Sequence, residues 1–477
     1  MHRPAGRILL AVLAVVSACH GDGSLAPARH GTLHLLAGNG TTDTVQAMLV
    51  QALVVQLLDD RGKPLPGIVI RYQTVPPSQD QPAFAYVTAT SRNSFSSVLS
   101  DSTDARGRSS AVVALGTIAG TARVTVSAPA LDLVDTAVFT VRPGAAAAVH
   151  VSPRDTALVA GGSIKLSATV TDRFGNPRTD PVTHAMGAGN ITLSTDQVTA
   201  TGIGRAFVVA HTGAAVDTEF VSVVPAGEIS AGSATGVAVF NTDGSGFRWL
   251  TGSTTPGYIT DWSPDGTEIA FDTQNATGTW GPLWMVDLAG KVRPASLSSS
   301  QSQEAYPEFS PDGKVLYFCR RVSTWQLRRV DADGTNDQPV ATSMYLSFTA
   351  PSVSPDGTRL VYAVLDAGVD VLSFLDLATG QATNTPIRGD SPSWSPLGDL
   401  VAFIDASASA LIVMNPDGSG LHQIGTGFDF GIDWSSDGKW IVARSRAKNV
   451  IELIDPRNDV VLPLGFTHGL VGPSLKP

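Results

Sequence analysis

Along the first half of the chain, apolar and polar residues alternate with period two over short stretches: 52–58, 68–72, 111–115, 122–128, 164–170 and 220–224. Gly, Pro and Asp separate these stretches. Strict alternation turns one face of a strand toward a core and the other toward water, so this half reads as β. A six-residue pattern D-x-x-G-x-P occurs twice, at Asp59-Asp60-Arg61-Gly62-Lys63-Pro64 and at Asp172-Arg173-Phe174-Gly175-Asn176-Pro177, an offset of 113 residues. Gly supplies the positive φ of a tight turn and Pro fixes the exit, so each copy joins two strands. A repeat of this length made of short strands fits a two-sheet sandwich. The expected boundaries are 31–144 and 145–225.

From residue 226 onward the rhythm changes. Asp261-Trp262-Ser263-Pro264-Asp265-Gly266 is followed by the variants Glu308-Phe309-Ser310-Pro311-Asp312-Gly313, Ser352-Val353-Ser354-Pro355-Asp356-Gly357, Ser393-Trp394-Ser395-Pro396-Leu397-Gly398 and Asp433-Trp434-Ser435-Ser436-Asp437-Gly438. The serines at 263, 310, 354, 395 and 435 are 47, 44, 41 and 40 residues apart. Each motif precedes an apolar strand, so the turn is a hairpin and the residue before its serine is a core plug. Half a period later comes a second hairpin, as at Asp287-Leu288-Ala289-Gly290 or Asn415-Pro416-Asp417-Gly418, and six such hairpins occur. A period of about 40–45 residues with four strands per unit predicts propeller blades. With six second hairpins but five complete first turns, one blade must draw on another part of the chain. Residues 473–477 line up with 392–396, so they are expected to pair with the strand near Glu228-Ile229-Ser230 and close the ring.

The repeats of the second half resemble the TolB-type, WD40-like propeller repeat, and the first half resembles the bacterial Ig-like domains of invasin and intimin. The resemblances imply an all-β chain, two Ig-like β-sandwiches followed by a six-bladed β-propeller over 226–477. In the TolB-type relatives the propeller face contacts envelope proteins. The Ig-like resemblance says nothing about a ligand.

The N-terminus has Arg3 and Arg7, then an apolar run over 8–16, the layout of a secretory signal over residues 1–18. That run is shorter than the ~20 apolar residues of a spanning helix. Val16-Ser17-Ala18-Cys19 resembles the bacterial lipobox, which implies a lipid on the Cys19 sulfur and a lipidated tether over 19–30. Several acyl chains anchor durably where one does not. His20, not Asp, follows the cysteine, which in that family favours the outer membrane, with the protein facing the periplasm or the cell surface.

A net charge of -10, with seven lysines scattered singly, argues against a nucleic-acid partner. Chemistry is sparse. The repeat half holds only His422 and His468, and there is no H-E-x-x-H, G-x-S-x-G or P-loop. Ser436 and Lys439 form an S-x-x-K inside a blade turn. Asp331-Ala332-Asp333-Gly334-Thr335-Asn336-Asp337 offers oxygens to calcium, yet its Asp and Gly equally make the turn that other repeats make there. Trp280 and Trp284 could stack on a sugar or be buried between sheets. Cys319 reads as a small buried hydrophobe. Cys19 is thus the one expected site residue, with no catalytic residue, metal or cofactor. The expectation is a non-enzymatic, membrane-anchored binding module with a protein partner in the envelope. A surface adhesin with a glycan ligand and a propeller-type carbohydrate lyase or hydrolase are the alternatives.

Overall fold

The computed structural model describes residues 30–76, 85–89, 94–274, 278–295, 303–341, 350–465 and 469–477. The signal segment, Cys19 and His468 lie outside them. Strands make up all the regular structure among the described residues except one 3-10 turn, Pro129–Leu131. The chain divides into two compact units, one reaching to Ala145 and including Thr171–Arg178, the other made of Ala146–Val170 and Thr179–Pro477.

In the first unit a four-stranded sheet (Gly31–Ala37, Leu53–Asp59, Arg108–Leu115, Ala85–Thr88 in spatial order) and a five-stranded sheet (Thr42–Thr44, Leu133–Arg142, Gly120–Ala128, Val69–Val75, Val98–Ser102) enclose one core. Alternation does the sorting: Leu53, Val55 and Leu57 from one sheet meet Ile70, Tyr72, Val124, Val126 and Phe139 from the other. The D-x-x-G-x-P turns are held by their first residue. Asp59 accepts the amides of Arg61 and Lys63 at 2.9 and 2.8 Å, with Gly62 at φ 75. Asp172 accepts those of Phe174 and Asn176 at 2.8 and 3.0 Å and also that of Gly144 at 2.8 Å.

The second unit opens with a four-stranded sheet (Thr156–Val159, Ala215–Val224, Gly204–Thr212, Thr183–Ala188) and a three-stranded one (Ser163–Lys165, Gln197–Ala200, Ile191–Ser194), with Val170, Val198, Val208 and Val221 in a common core. Six four-stranded antiparallel sheets follow among the described residues. Five are meanders whose strands are consecutive in sequence: 260–294, 303–341, 352–388, 390–426 and 433–463. The sixth is composite. Its strands Glu228–Ser233, Gly236–Asn241 and Arg248–Trp249 are completed by Val471–Leu475, with Ile229 opposite Leu475 and Ser230 opposite Ser474.

Each of six apolar clusters joins two successive sheets. Val237 and Val239 of the composite sheet meet Trp262, Ile269 and Phe271 of the next, and the pattern continues. It ends with Val442, Leu453 and Leu462 packed on Ile229, Phe240 and Leu475 of the composite sheet. The succession therefore returns on itself. Sheets packed on both faces need strands apolar on both faces, which is why Ile269-Ala270-Phe271 and Val401-Ala402-Phe403 are continuous runs and not alternations. Ala157 and Val224 from the stretch before the repeats share the last cluster.

The repeated turn is a side-chain device as well as a backbone one. The amide of Gly266 donates to the Ser263 carbonyl at 2.8 Å, and Gly313, Gly357, Gly398 and Gly438 repeat the bond. The serine hydroxyl donates to the turn aspartate, Ser263 to Asp265 at 2.6 Å and Ser310 to Asp312 at 2.7 Å, and accepts an amide five residues on, from Glu268 and Val315.

Candidate functional site: an axial chamber

The leading strands of all six repeat sheets meet around one chamber of ≈ 250 Å³. Turn prolines Pro264, Pro311, Pro355, Pro396 and Pro477 line it, as do the plug residues Trp262, Phe309, Trp394 and Trp434. Pro477 completes this set because residues 474–477 occupy the place that 261–264 hold in the next sheet. A second, narrower space of ≈ 30 Å³ adjoins, lined by the residues just before the plugs, among them Pro307, Pro351, Pro392 and Pro473. Proline is tolerated here because each leading strand is a sheet edge and its amides face no ladder partner. Asp261, Glu308, Ser393 and Asp433 line both spaces. They stand where the wide chamber meets the narrow one, which has room for about two waters.

These residues hold a single position in the repeat, directly before the plug, and most of them perform one task. The position accepts the edge amide of the plug residue in the following sheet. Asp261 Oδ2 accepts Phe309 N at 2.7 Å, Glu308 Oε1 accepts Val353 N at 3.4 Å, Ser352 Oγ accepts Trp394 N at 3.0 Å, and Asp433 Oδ2 accepts Leu475 N at 2.9 Å. Ser352 and Ser474 also donate their hydroxyls to Glu308 and Asp433, at 3.0 and 2.8 Å. Trp434 Nε1 donates to the Ser393 carbonyl at 3.1 Å.

Three carboxylates around one axis do not ionise freely. Burial pushes Glu308 up to about 8, helped by the charge of Asp433 and opposed by the Ser352 hydroxyl. Burial likewise lifts Asp433 to about 6 against its bonds to Ser474 and Leu475. Asp261 is raised by burial and then by the charges of Glu308 and Asp433. Among the described residues no lysine, arginine or histidine lines the chamber, and no cation figures among the causes of these shifts. Among the described residues no group of three His, Cys, Asp or Glu is placed to hold a metal.

Of the residues singled out by sequence, Ser436 alone among the described ones lines the chamber. Cys19 and His468 are outside the described residues. His422 is exposed and meets Asp459 at 2.7 Å. Ser436 is in the chamber wall, whereas Lys439 is exposed and pairs with Asp437 at 3.3 Å. The 331–337 segment spends its oxygens on itself and on arginines. Asp331 accepts Asn336 Nδ2 at 2.6 Å, Asp333 accepts the Thr335 amide at 2.9 Å, and Asp337 pairs with Arg320 and Arg328 at 2.5 and 2.8 Å. Trp284 packs on the Val237–Phe271 cluster, and Trp280 lies 5.8 Å from Tyr306, ring to ring. Cys319 is buried in the cluster with Leu360 and Tyr362. Sequence reasoning quoted Asp261, Glu308 and Asp433 within the motifs but gave them no role. The available signal was an acid directly before a buried aromatic, at the same repeat position three times.

No family model matches the chain. It is similar to the Tol-Pal system protein TolB of Bordetella pertussis, 41% identical over 66 residues, which is 14% of this chain and 15% of that protein. It is also similar to TolB of Francisella tularensis subsp. mediasiatica, 24% identical over 220 residues, 35% of this chain and 50% of that protein. The chain thus spans half or less of the length of these relatives. Among solved structures, TolB from Acinetobacter baumannii aligns with 62% of this chain and 82% of its own at 16% identity, with a TM-score of 0.47. The chain is all-β and carries TolB-like β-propeller sequence.

Proposed function

We propose that this protein is an exported envelope lipoprotein held by a lipid on Cys19. In this reading two Ig-like sandwiches, 31–144 and 145–225, are a spacer, and a six-bladed, TolB-like β-propeller over 226–477 is a protein-interaction platform. One observation carries the reading: six sheets place equivalent residues around a single chamber whose wall is proline and aromatic. Such a surface is rigid, preformed and partly apolar, which favours docking. Binding is favoured over catalysis because the chamber carboxylates already accept amides of neighbouring sheets and, among the described residues, no histidine, cysteine or lysine in the chamber lining stands beside them to form a nucleophile–base pair. The relatives are named as Tol-Pal system proteins, which supports an envelope protein as partner here.

The test is photo-cross-linking in intact cells, with a benzophenone amino acid at Pro311 or Pro396 in the chamber wall and, as control, at exposed Leu421. A discrete adduct to one envelope protein from the two chamber positions is the expected result. Adducts from Leu421 alone would move the interaction off the chamber. In parallel, Cys19→Ser should release the protein into the soluble fraction.

A further inference from the structure

The chamber has a chemistry more specific than a generic docking face. The geometry points to a single lysine or arginine side chain of the partner as its occupant, with the aliphatic stem against the prolines and aromatics and the cationic head at Asp261, Glu308 and Asp433. This rests on the proposed role of the chamber as an interaction site and specifies what enters it.

Three observations converge. The first is size: ≈ 250 Å³ lies below the ~300–1,000 Å³ of drug-sized pockets and suits one long side chain. Second, the chamber is graded, apolar in its prolines and plugs and acidic where it narrows to ≈ 30 Å³. Lysine and arginine match that gradient, since their methylene stems bury along apolar surface while the head keeps polar partners. Third, among the described residues no counter-charge lines the chamber beside the acids. Each carboxylate is engaged by neutral amide or hydroxyl donors, and the like charges of Glu308 and Asp433 oppose ionisation. A cation supplied from outside removes that repulsion beside apolar walls, where charge pairing is stronger than in open water. A bare metal ion is a poorer occupant, because no three of these ligands are placed to hold one.

Trp262 and Trp394 line the chamber at 3% and 5% exposure, and the indole Nε1 of each has no hydrogen-bond partner. The equivalent Trp434 Nε1 is satisfied by the Ser393 carbonyl. Both unpaired N–H groups are shielded inside the wall, so what the two rings offer an occupant is apolar surface. An apolar wall and, at the narrowing, acids that have neutral donors but no counter-charge in the chamber lining are together complementary to a peptide bearing one cationic side chain.

The probe is acetyl-Gly-Pro-Lys-Gly-amide and its norleucine counterpart, which keeps the stem and removes the charge, titrated against the full-length protein and followed by tryptophan fluorescence and calorimetry. The lysine peptide should bind at least ~10-fold more tightly than the norleucine peptide. Glu308→Gln and Asp261→Asn keep a carbonyl oxygen for the neighbouring amide, and each should erase most of that preference while leaving the melting temperature near that of the parent. Equal binding of the two peptides, a preference that survives both variants, or no binding of either peptide at millimolar concentration overturns the inference. If the inference fails while the Pro311 and Pro396 cross-links still capture an envelope protein, the interaction reading stands without the cation. Loss of both removes the chamber as a binding site.

Discussion

The core of the first unit and the ring of repeat sheets are both built from antiparallel strands, but they treat polar groups in opposite ways. In the first unit two sheets sort residues by alternation into one apolar cluster, and a buried polar contact such as Tyr72 to Ser109 at 3.0 Å is passed on to Asp101 at 2.9 Å. Edge strands of such a sandwich can leave their spare amides to water. A ring has no such outlet at its axis, because the leading strand of each sheet is an edge facing other edges. Its amides must be satisfied from the side, and the residue before the plug supplies the acceptor. Closing a ring thus places acids and serines where a sandwich would place valine, and a chamber lined with chemistry follows from the architecture.

The largest test of this contrast removes the closing strand. Deleting residues 471–477 strips Glu228–Ser233 of its partner and takes away the amide and hydroxyl that Asp433 accepts. Although only seven residues are lost, the repeat region should lose its cooperative transition in calorimetry while the first unit keeps its own. A repeat region that melts unchanged would mean the ring does not depend on closure. Next in size is Phe139→Ala in the first unit. A phenylalanine 1% exposed and truncated to alanine should cost about 3–5 kcal/mol, lowering only that unit's transition and leaving peptide binding at the chamber intact.

How legible this was in sequence depends on the signal each feature leaves. Turns were legible because Gly and Asp are nearly obligatory there, and the place of 471–475 could be anticipated because Pro473-Ser474-Leu475 repeats Pro392-Ser393-Trp394. Alternation gave the strands of the first half for the same reason that it sorts the core. The chamber was harder. Nothing in a single repeat says that Asp261 and Glu308, 47 residues apart, share an axis, and in a linear reading each is only a polar residue beside an aromatic. Ring geometry converts a repeat position into a cluster. Nor did the sequence distinguish Trp280 and Trp284 from the plugs, since burial is a property of the assembled sheets.

The two regions should also answer pH with opposite signs. In the second unit burial holds Glu308 at about 8, Asp272, Asp390 and Glu219 at about 7, and Asp433 at about 6, while unfolded carboxyls titrate near ~4. Between about pH 4.5 and 8 the folded unit therefore holds protons that the unfolded chain has released, and its stability falls as pH rises through that window. The shifted carboxyls of the first unit, Asp59 and Asp104, are held down by backbone amides, as turn aspartates of the second unit such as Asp265 and Asp312 are held down by serine hydroxyls, so the first unit lacks the raised set among its described carboxyls and loses stability only as pH drops below about 4. Raising pH from 5 to 8.5 should lower the second transition by several degrees, given ~2–4 °C per kcal/mol for a domain of 150–250 residues, and leave the first unmoved. Glu308→Gln should flatten part of the slope. A second transition that stays level across this range would mean that the chamber acids are already compensated.

The smallest effect concerns the one turn that breaks the rule. In four repeats the turn aspartate accepts the serine hydroxyl, at 2.6 Å for Ser263, 2.7 Å for Ser310, 2.5 Å for Ser354 and 2.6 Å for Ser435. In the fifth that aspartate is Leu397, 60% exposed. Ser395 donates instead to Asp399 Oδ1 at 2.9 Å, and Asp399 Oδ2 takes Arg457 Nη2 at 2.6 Å. Asp399 has therefore taken over the bond that Leu397 cannot make and added a surface ion pair. Asp399→Ala should cost about 0.5–1.5 kcal/mol in a urea titration, the net worth of such a bond. Leu397→Asp in the parent should change stability by less than about 0.5 kcal/mol, because Ser395 is already satisfied. In the Asp399→Ala background the same substitution should recover part of the loss, since it restores the serine bond but not the contact with Arg457. The diagnostic quantity is the difference between the effect of Leu397→Asp in the two backgrounds. If it is zero, the two positions act independently, Asp399 is no substitute for the turn aspartate, and Ser395 tolerates an unpaired hydroxyl in the chamber wall.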